Sequence, residues 1–475
     1  MAIGPALVRR LATAMAHVFY RVDTIGHVPA DGALILLPNH PNALLDPALV
    51  LATAGRPVRF LAKSTLFKGP FAPLLKGARA IPVYRQQDGA APRSNDQTFR
   101  AVDAALARGE AVCIFPEGIS HSSGRLEPLR TGAARMALSA AARGVAVRLV
   151  PIGINLERKT AFRSRATVAY GAVFTVDEQA PAGESDGTRT GGQTDHGEGE
   201  GRYRNRVGAL TDRIASHMRA LLVEADPVAD AELVDRIDRL YRSERGEPGD
   251  ARVALARRQA IADGLHRLRT ERPDWYGEAV IQLKRYADRL HRFGLHDTAL
   301  DWQITPAAAR TFVVRELPRA LVLVPIAVAA VAIFALPYSL TAAAGRVTKD
   351  TDVTATAKVF AGAVIYSVWI ILLATASGWL GGPLAAALAL AGLPVLAAAG
   401  LFAIEREVEA WQTARSWLAL RGAHPGTREA LRRRRAELAD VLDRINDWLV
   451  TGEPGTHEPP DDRLQRREEQ VRRTK

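Results

Sequence analysis

"LLPNHPNALLDPALV", residues 36–50, sets one histidine and one aspartate into an otherwise apolar run. Pro38 and Pro41 bracket His40. A residue before proline is pushed toward extended geometry, so His40 ends a strand and enters a turn. Pro41 can open a helix, where its missing N–H costs nothing, and "NALLDPALV" then carries Asp46 a little over one turn inside it. A neutral imidazole held by a carboxylate is a general base suited to neutral pH, the aspartate fixing the tautomer and stabilising the imidazolium that forms. Taken alone, the pair reads as a loop histidine beside a helix-surface aspartate.

Outward from this stretch, from Ile35 to about Gly171, short strand-like runs ("ALILLP", "RFLAKS", "AVCIFP", "VRLVPIGI", "ATVAYG") alternate with Ala- and Leu-rich helical patterns ("TFRAVDAALARG", "TGAARMALSAAARG"). Such alternation predicts an α/β domain, a sheet flanked by helices. The domain is expected over residues 26–225, with a polar, Gly-rich flexible insertion at 184–205. Ahead of it, residues 1–25 place Arg9, Arg10 and Arg21 within an apolar pattern. That interruption leaves no signal-peptide core and suits an interfacial amphipathic helix.

Behind the domain, residues 226–316 read as a charged helical subdomain with Leu, Ile and Tyr at helical spacing ("LVDRIDRLYRSE"). No charged residue occurs from Ala320 to Gly345, nor from Val359 to Ile404. A helix of about 20 apolar residues crosses the roughly 30 Å hydrocarbon layer of a bilayer. The second run, broken by Gly381, Gly382 and Pro383, is long enough to cross twice, so residues 317–404 form a transmembrane region of two or three spans. Arginine is abundant on both flanks, which places both in the cytosol and requires an even number of crossings. Residues 405–450 follow as a helical tail with Leu431, Leu438, Leu442, Ile445 and Leu449 on one face; its arginine run reads as a solvated face or an anionic-lipid contact. Residues 451–475 read as a disordered tail.

Composition bounds the partners. With 475 residues, 48% hydrophobic and 24% charged, the chain can fill a core and more than one domain. A net charge of +12 directs it to anionic surfaces, either phospholipid or nucleic acid. The apolar runs choose phospholipid. No phosphate loop, zinc pattern or aromatic stacking motif accompanies the charge, so nucleic acid is not expected as a partner. The single cysteine, Cys113, excludes an intramolecular disulfide and a thiolate-rich metal site, and sits in an apolar run as a buried small side chain. No metal is expected.

Three further islands change the reading of His40 and Asp46. "GARAIPVYRQQ" sets Arg85 just beyond a strand, "IFPEGISHSSGRLEPLRTGA" puts Glu117 and Gly118 in a turn after a strand, and "LVPIGI" ends another strand. Together with the opening stretch these resemble the four motif blocks of the glycerolipid acyltransferase family, the glycerol-3-phosphate and lysophosphatidate acyltransferases. "NHPNALLDP", "FPEGISH" and "LEPLRTGAARMAL" look closest to the branch holding the fungal glycerol-3-phosphate and dihydroxyacetone-phosphate acyltransferases, and the similarity runs over roughly residues 18–242.

The resemblance implies acyl transfer from a thioester, acyl-CoA or acyl carrier protein, to a phosphorylated glycerol, with no further cofactor. His40 would take the proton of the acceptor hydroxyl and Asp46 would orient His40. Arg85 would bind the acceptor phosphate through its planar fork of donors. Glu117 would order its turn, Gly118 would let backbone approach the substrate, and Pro151 belongs to the block associated with the acyl chain. Lys63 and Arg130 are candidate helpers in phosphate or coenzyme binding, or ordinary surface cations. His40 and Asp46 are separated by one residue more than in most of the family. The expected activity is formation of lysophosphatidate at a bacterial cytoplasmic membrane, catalytic domain inward. The alternatives are acylation of lysophosphatidate itself and a silent lipid-binding membrane protein.

Overall fold

The structure is a computed structural model, and it describes residues 4–43, 45–68, 72–84, 94–159, 161–176, 196–225, 229–246, 250–302, 305–347, 351–422 and 425–451. In chain order the elements are α1 (Pro5–Phe19), β1 (Tyr20–Ile25), β2 (Leu34–Pro38), α2 (Leu45–Thr53), β3 (Val58–Lys63), α3 (Ala72–Gly77), β4 (Ile81–Val83), α4 (Ser94–Ala107), β5 (Ala111–Cys113), α5 (Gly132–Ala142), β6 (Arg148–Leu156), β7 (Ser164–Tyr170) and β8 (Phe174–Thr175). There follow α6 (His196–Arg219), α7 (Ala229–Arg245), α8 (Ala251–Glu271), α9 (Pro273–Arg292), α10 (Pro306–Val347), α11 (Thr351–Gly422) and α12 (Pro425–Thr451).

The sheet runs β1-β7-β6-β2-β5-β3-β4, with β8 on β6. β6, β2, β5, β3 and β4 are mutually parallel, while β7 and β8 pair antiparallel with β6, and β1, parallel to β7, shares their direction. All five residues of β2 are buried, because a central parallel strand is covered on both faces; this is why it reads as an unbroken apolar run. One face packs Ile35, Leu37 and Leu149 against α4, α5 and α6. The other packs Leu34, Leu36, Val150 and Ile152 against α1 and α2. α5 is alanine-rich because it lies close on the sheet, burying Ala133, Ala134, Ala137 and Ala140.

Two segments differ from the sequence expectation. The N-terminal helix ends at Phe19, and residues 20–25 instead pair in parallel with β7, as the alternation of Tyr20, Val22 and Thr24 along that edge allows. α1 buries Val8, Ala12, Ala16 and Phe19 and leaves Leu7, Leu11 and Val18 exposed. The expected insertion at 184–205 is cut short: residues 196–205 are the opening turns of α6, and the rest lies outside the described residues, as does the tail from 452 onward.

The chain divides into two compact units: Met1–Ala231, Gly249–Gln259 and Arg315–Val408 in one, Glu232–Pro248, Ala260–Val314 and Glu409–Lys475 in the other. α10 and α11 contain two stretches, Ala309–Ala344 and Ala361–Gly422, long and apolar enough to cross a membrane. Only 17% and 11% of their most apolar windows are buried, so protein does not cover them as it would the core helices of a soluble domain. α11 breaks at Gly382, whose φ of 80° and following Pro383 end one helix and start another. A Cβ on Gly378 would lie 3.0 Å from that of Ala386, so the two halves close on each other around the break.

In the second unit the arginine run of α12 is only in part a solvated face: Arg433 is exposed, but Arg435 is not. Arg435 is buried and donates to Glu244 (2.6 Å), Asp301 (2.8 Å), Ser243 (2.8 Å) and the Asp297 carbonyl (2.8 Å). Arg434 reaches Gln282 at 2.8 Å. With a bond on every nitrogen, four in all, the buried guanidinium is tolerable, and one planar group joins three segments here.

Candidate active site

β2 ends at Pro38, and the next side chain continues its pairing. Asn39 Nδ2 donates to the Ile154 carbonyl (3.1 Å) while its Oδ1 accepts the Ile154 N–H (2.7 Å), which pins the backbone where His40 leaves the sheet. The His40 N–H donates to Glu117 Oε1 at 2.7 Å, and the imidazole stacks on Phe115 with ring centroids 4.0 Å apart. Its Nδ1 donates to Asp46 Oδ2 at 2.8 Å. The same oxygen accepts the Asn42 N–H at 2.7 Å.

The helix carrying Asp46 starts later than Pro41. α2 begins at Leu45, so Asp46 lies in its first turn, where the exposed N–H groups favour a carboxylate. The helix cannot start earlier because Ala43 has φ 43°, in the left-handed region, its N–H tied to Ser120 Oγ at 2.9 Å. A non-glycine residue there costs about 1–2 kcal/mol. The turn takes up the longer His–Asp spacing, and the dyad closes at hydrogen-bond distance.

Asp46 is fully buried, and burial pushes its carboxyl above the usual carboxylate range while the bonds from His40 and Asn42 pull it back. With Nδ1–H committed to Asp46, the basic lone pair of His40 is on Nε2, on a side chain 18% exposed. Base and orienting carboxylate are thus in register, one reachable and one sealed.

Glu117 is buried and ties three segments together. Besides the His40 N–H it accepts the Glu127 N–H at 3.1 Å and a short bond from His121 Nε2. Burial works to lower the His121 pKa, but the bond to Glu117 and its charge outweigh it and hold the imidazole above its ordinary value. Ser123 Oγ lies 2.6 Å from His121 Nδ1, and the His121 N–H donates to the His40 carbonyl at 3.2 Å. Gly118 takes φ 75°, and a Cβ there would press on Arg130 Cγ at 3.2 Å, so the turn needs glycine.

Of the residues singled out from sequence, His40, Asp46, Glu117 and Gly118 come together, with the stem of Arg130 over Gly118. Lys63 closes β3 opposite Val83 of β4, at the same end of the parallel strands from which His40 emerges. Such carboxyl ends form the ligand crevice of open parallel sheets. Pro151 is not brought to the dyad. It pairs with Leu37 inside the sheet, alternates with Val150 and Ile152, and so faces the layer opposite α2, its ring filling the space beside Gly171. Arg85 lies outside the described residues. Asn42, Phe115, Ser120 and His121 all stood inside the quoted stretches, but no spacing rule marked them. Among the described residues no group of three or more His, Cys, Asp or Glu side chains is placed to hold a metal.

Residues 20–155, from β1 into β6 and including the dyad and Glu117, match the Acyltransferase family model. The chain carries an acyltransferase-family domain. Glycerol-3-phosphate O-acyltransferase 2 of Saccharomyces cerevisiae is 41% identical over 85 residues, 18% of this chain and 11% of that protein. Glycerol-3-phosphate O-acyltransferase 1 of the same yeast is 29% identical over 148 residues, 31% of this chain and 18% of that protein. The matched part is thus less than a fifth of either relative's length. A solved structure, the 1-acyl-sn-glycerophosphate acyltransferase PlsC from Thermotoga maritima, overlaps 46% of this chain and 82% of that one at 18% identity, with a TM-score of 0.29, too low to bear on the fold.

Proposed function

We propose that the chain is a membrane-bound O-acyltransferase that moves a fatty acyl group from a thioester, acyl-CoA or acyl carrier protein, to a hydroxyl of glycerol-3-phosphate. The observation that carries this is the 2.8 Å bond from His40 Nδ1 to a sealed Asp46, which leaves Nε2 as an accessible base at the carboxyl ends of parallel strands. His40 Nε2 takes the proton of the acceptor hydroxyl as its oxygen attacks the thioester carbonyl. The tetrahedral intermediate collapses, the carbon–sulfur bond breaks, and the imidazolium returns its proton to the leaving thiolate. Asp46 stabilises the imidazolium between these steps. No covalent acyl-enzyme is needed.

Acceptor phosphate falls to cations beyond β3 and β4, Lys63 at the end of one and Arg85 two positions past the other. The names of the yeast relatives favour glycerol-3-phosphate as acceptor. The apolar stretches of α10 and α11 support membrane attachment. An acceptor panel tests the reading: membranes holding the chain, one labelled acyl thioester, and glycerol-3-phosphate, dihydroxyacetone phosphate or lysophosphatidate in turn. Labelled lysophosphatidate from glycerol-3-phosphate is expected. Far faster consumption of lysophosphatidate would move the chain to the second acylation.

A further inference from the structure

Tyr20, the first residue after α1, sends its hydroxyl underneath the dyad. It donates to the Lys159 carbonyl at 2.6 Å and accepts from Asn42 Nδ2 at 2.6 Å, with both Tyr20 and Asn42 fully buried. The Asn42 N–H then donates to the Asp46 oxygen that holds His40. Burial, reinforced by the charge of Asp46, pushes the Tyr20 phenol well above its ordinary value, so it remains a donor throughout. Lys159 also braces the neighbouring turn, its Nζ donating to Ser122 Oγ at 2.7 Å and to the His121 carbonyl at 3.2 Å.

The loop between β6 and β7 that carries Lys159 is fixed at its far end by Arg163. The Arg163 N–H donates to the Phe19 carbonyl at 2.7 Å, and its guanidinium bonds the His17 carbonyl at 2.5 Å and Glu405 of α11 at 2.5 and 3.1 Å. Arg163 has φ 61°, a left-handed conformation that persists only where its surroundings over-determine it. A continuous chain of bonds therefore runs from Glu405 through Arg163 to the end of α1, and from Tyr20 through Asn42 to Asp46.

We propose that Tyr20, Asn42 and Lys159 are positioning residues for the His40–Asp46 dyad, and that the Arg163–Glu405 ion pair locks this network to the apolar helix α11. The proposal rests on the acyl-transfer reading above. None of these groups need touch substrate: they set where Asp46 Oδ2 sits, and through it where His40 Nε2 points. A shift of about 1 Å in such geometry costs about 10²-fold in rate.

The test uses the full chain in membranes for kinetics and in detergent, with ¹⁵N-labelled histidine, for spectroscopy. Tyr20→Phe keeps the ring and removes the hydroxyl. It is expected to lower kcat by about 10- to 100-fold, to leave KM for both substrates within about twofold, and to shift the low-field Nδ1 proton resonance of His40. A merely structural role would move none of these in a chain that still folds. Arg163→Glu and Glu405→Arg are each expected to lower kcat, and the double exchange R163E/E405R to recover most of it. Wild-type kcat together with an unmoved His40 resonance in Tyr20→Phe would overturn the positioning role. A double exchange no better than either single variant would overturn the lock. If the wild type proved to lack acyl transfer, the reading beneath would fail, while the resonance, which needs no turnover, would still decide whether the network holds His40.

Discussion

His40 and Asp46 were legible because proline on both sides of the histidine forces a turn at a strand end, and because the four blocks occur together. The groups that hold the pair were not. Glu117 was read only as ordering its own turn, whereas it also accepts the His40 N–H from 77 residues away, and Asn42 acts through its backbone N–H, which no residue pattern records. His121 carries a prediction of its own. Its pKa is raised when folded, so its pairing with Glu117 stabilises the fold fully below the unfolded histidine value of about 6.5 and is lost as pH rises through the higher folded value. The thermal midpoint of the wild type relative to His121→Gln should therefore fall over the window that opens above the unfolded histidine value of about 6.5. A constant difference across that window would contradict a charged His121.

At the scale of elements, strands β2, β3, β5, β6 and β7 lie where short apolar runs placed them, and β2, β5 and β6, covered on both faces, admit little else. The start of α2 was misread because a left-handed alanine leaves no mark in composition. Arg435 of α12 departs from the solvated face read for its run, because a charge run gives no sign of which member finds acceptors. Arg435 is the one that does. Replacing it by Met keeps the apolar stem but leaves Glu244 and Asp301 without their guanidinium. A cost of about 2–3 kcal/mol is expected, from charge-assisted bonds of about 1.5–3 kcal/mol and partly exposed partners. It would be read as earlier proteolysis of α7, α9 and α12 in a denaturant series. Arg433, exposed and paired with Glu437 of its own helix among the described residues, should be silent under the same change.

For the whole molecule, the two apolar helices were visible from charge-free runs alone, whereas the pairing of their ends was not. Glu316 near the start of α10 accepts two bonds from Arg406 of α11, each 2.9 Å, and neighbouring Glu405 bonds Arg163 of the loop between β6 and β7. Both flanks of the apolar region thus lie beside one another and beside the sheet. Together with arginine on both flanks, this predicts an even number of crossings, so that of the three apolar segments the one around the break at Gly382, within residues 378–394, is re-entrant or interfacial. Reporters fused after residues 314 and 410 should face the same compartment; opposite compartments would contradict it. The central claim, that His40 is the base of an acyl transfer oriented by Asp46, is tested most directly by counting labelled lysophosphatidate made from glycerol-3-phosphate and acyl thioester by membranes bearing the wild type or His40→Ala at equal abundance. The wild type should make product and His40→Ala about 10² to 10⁴ times less; equal product from both would contradict the account.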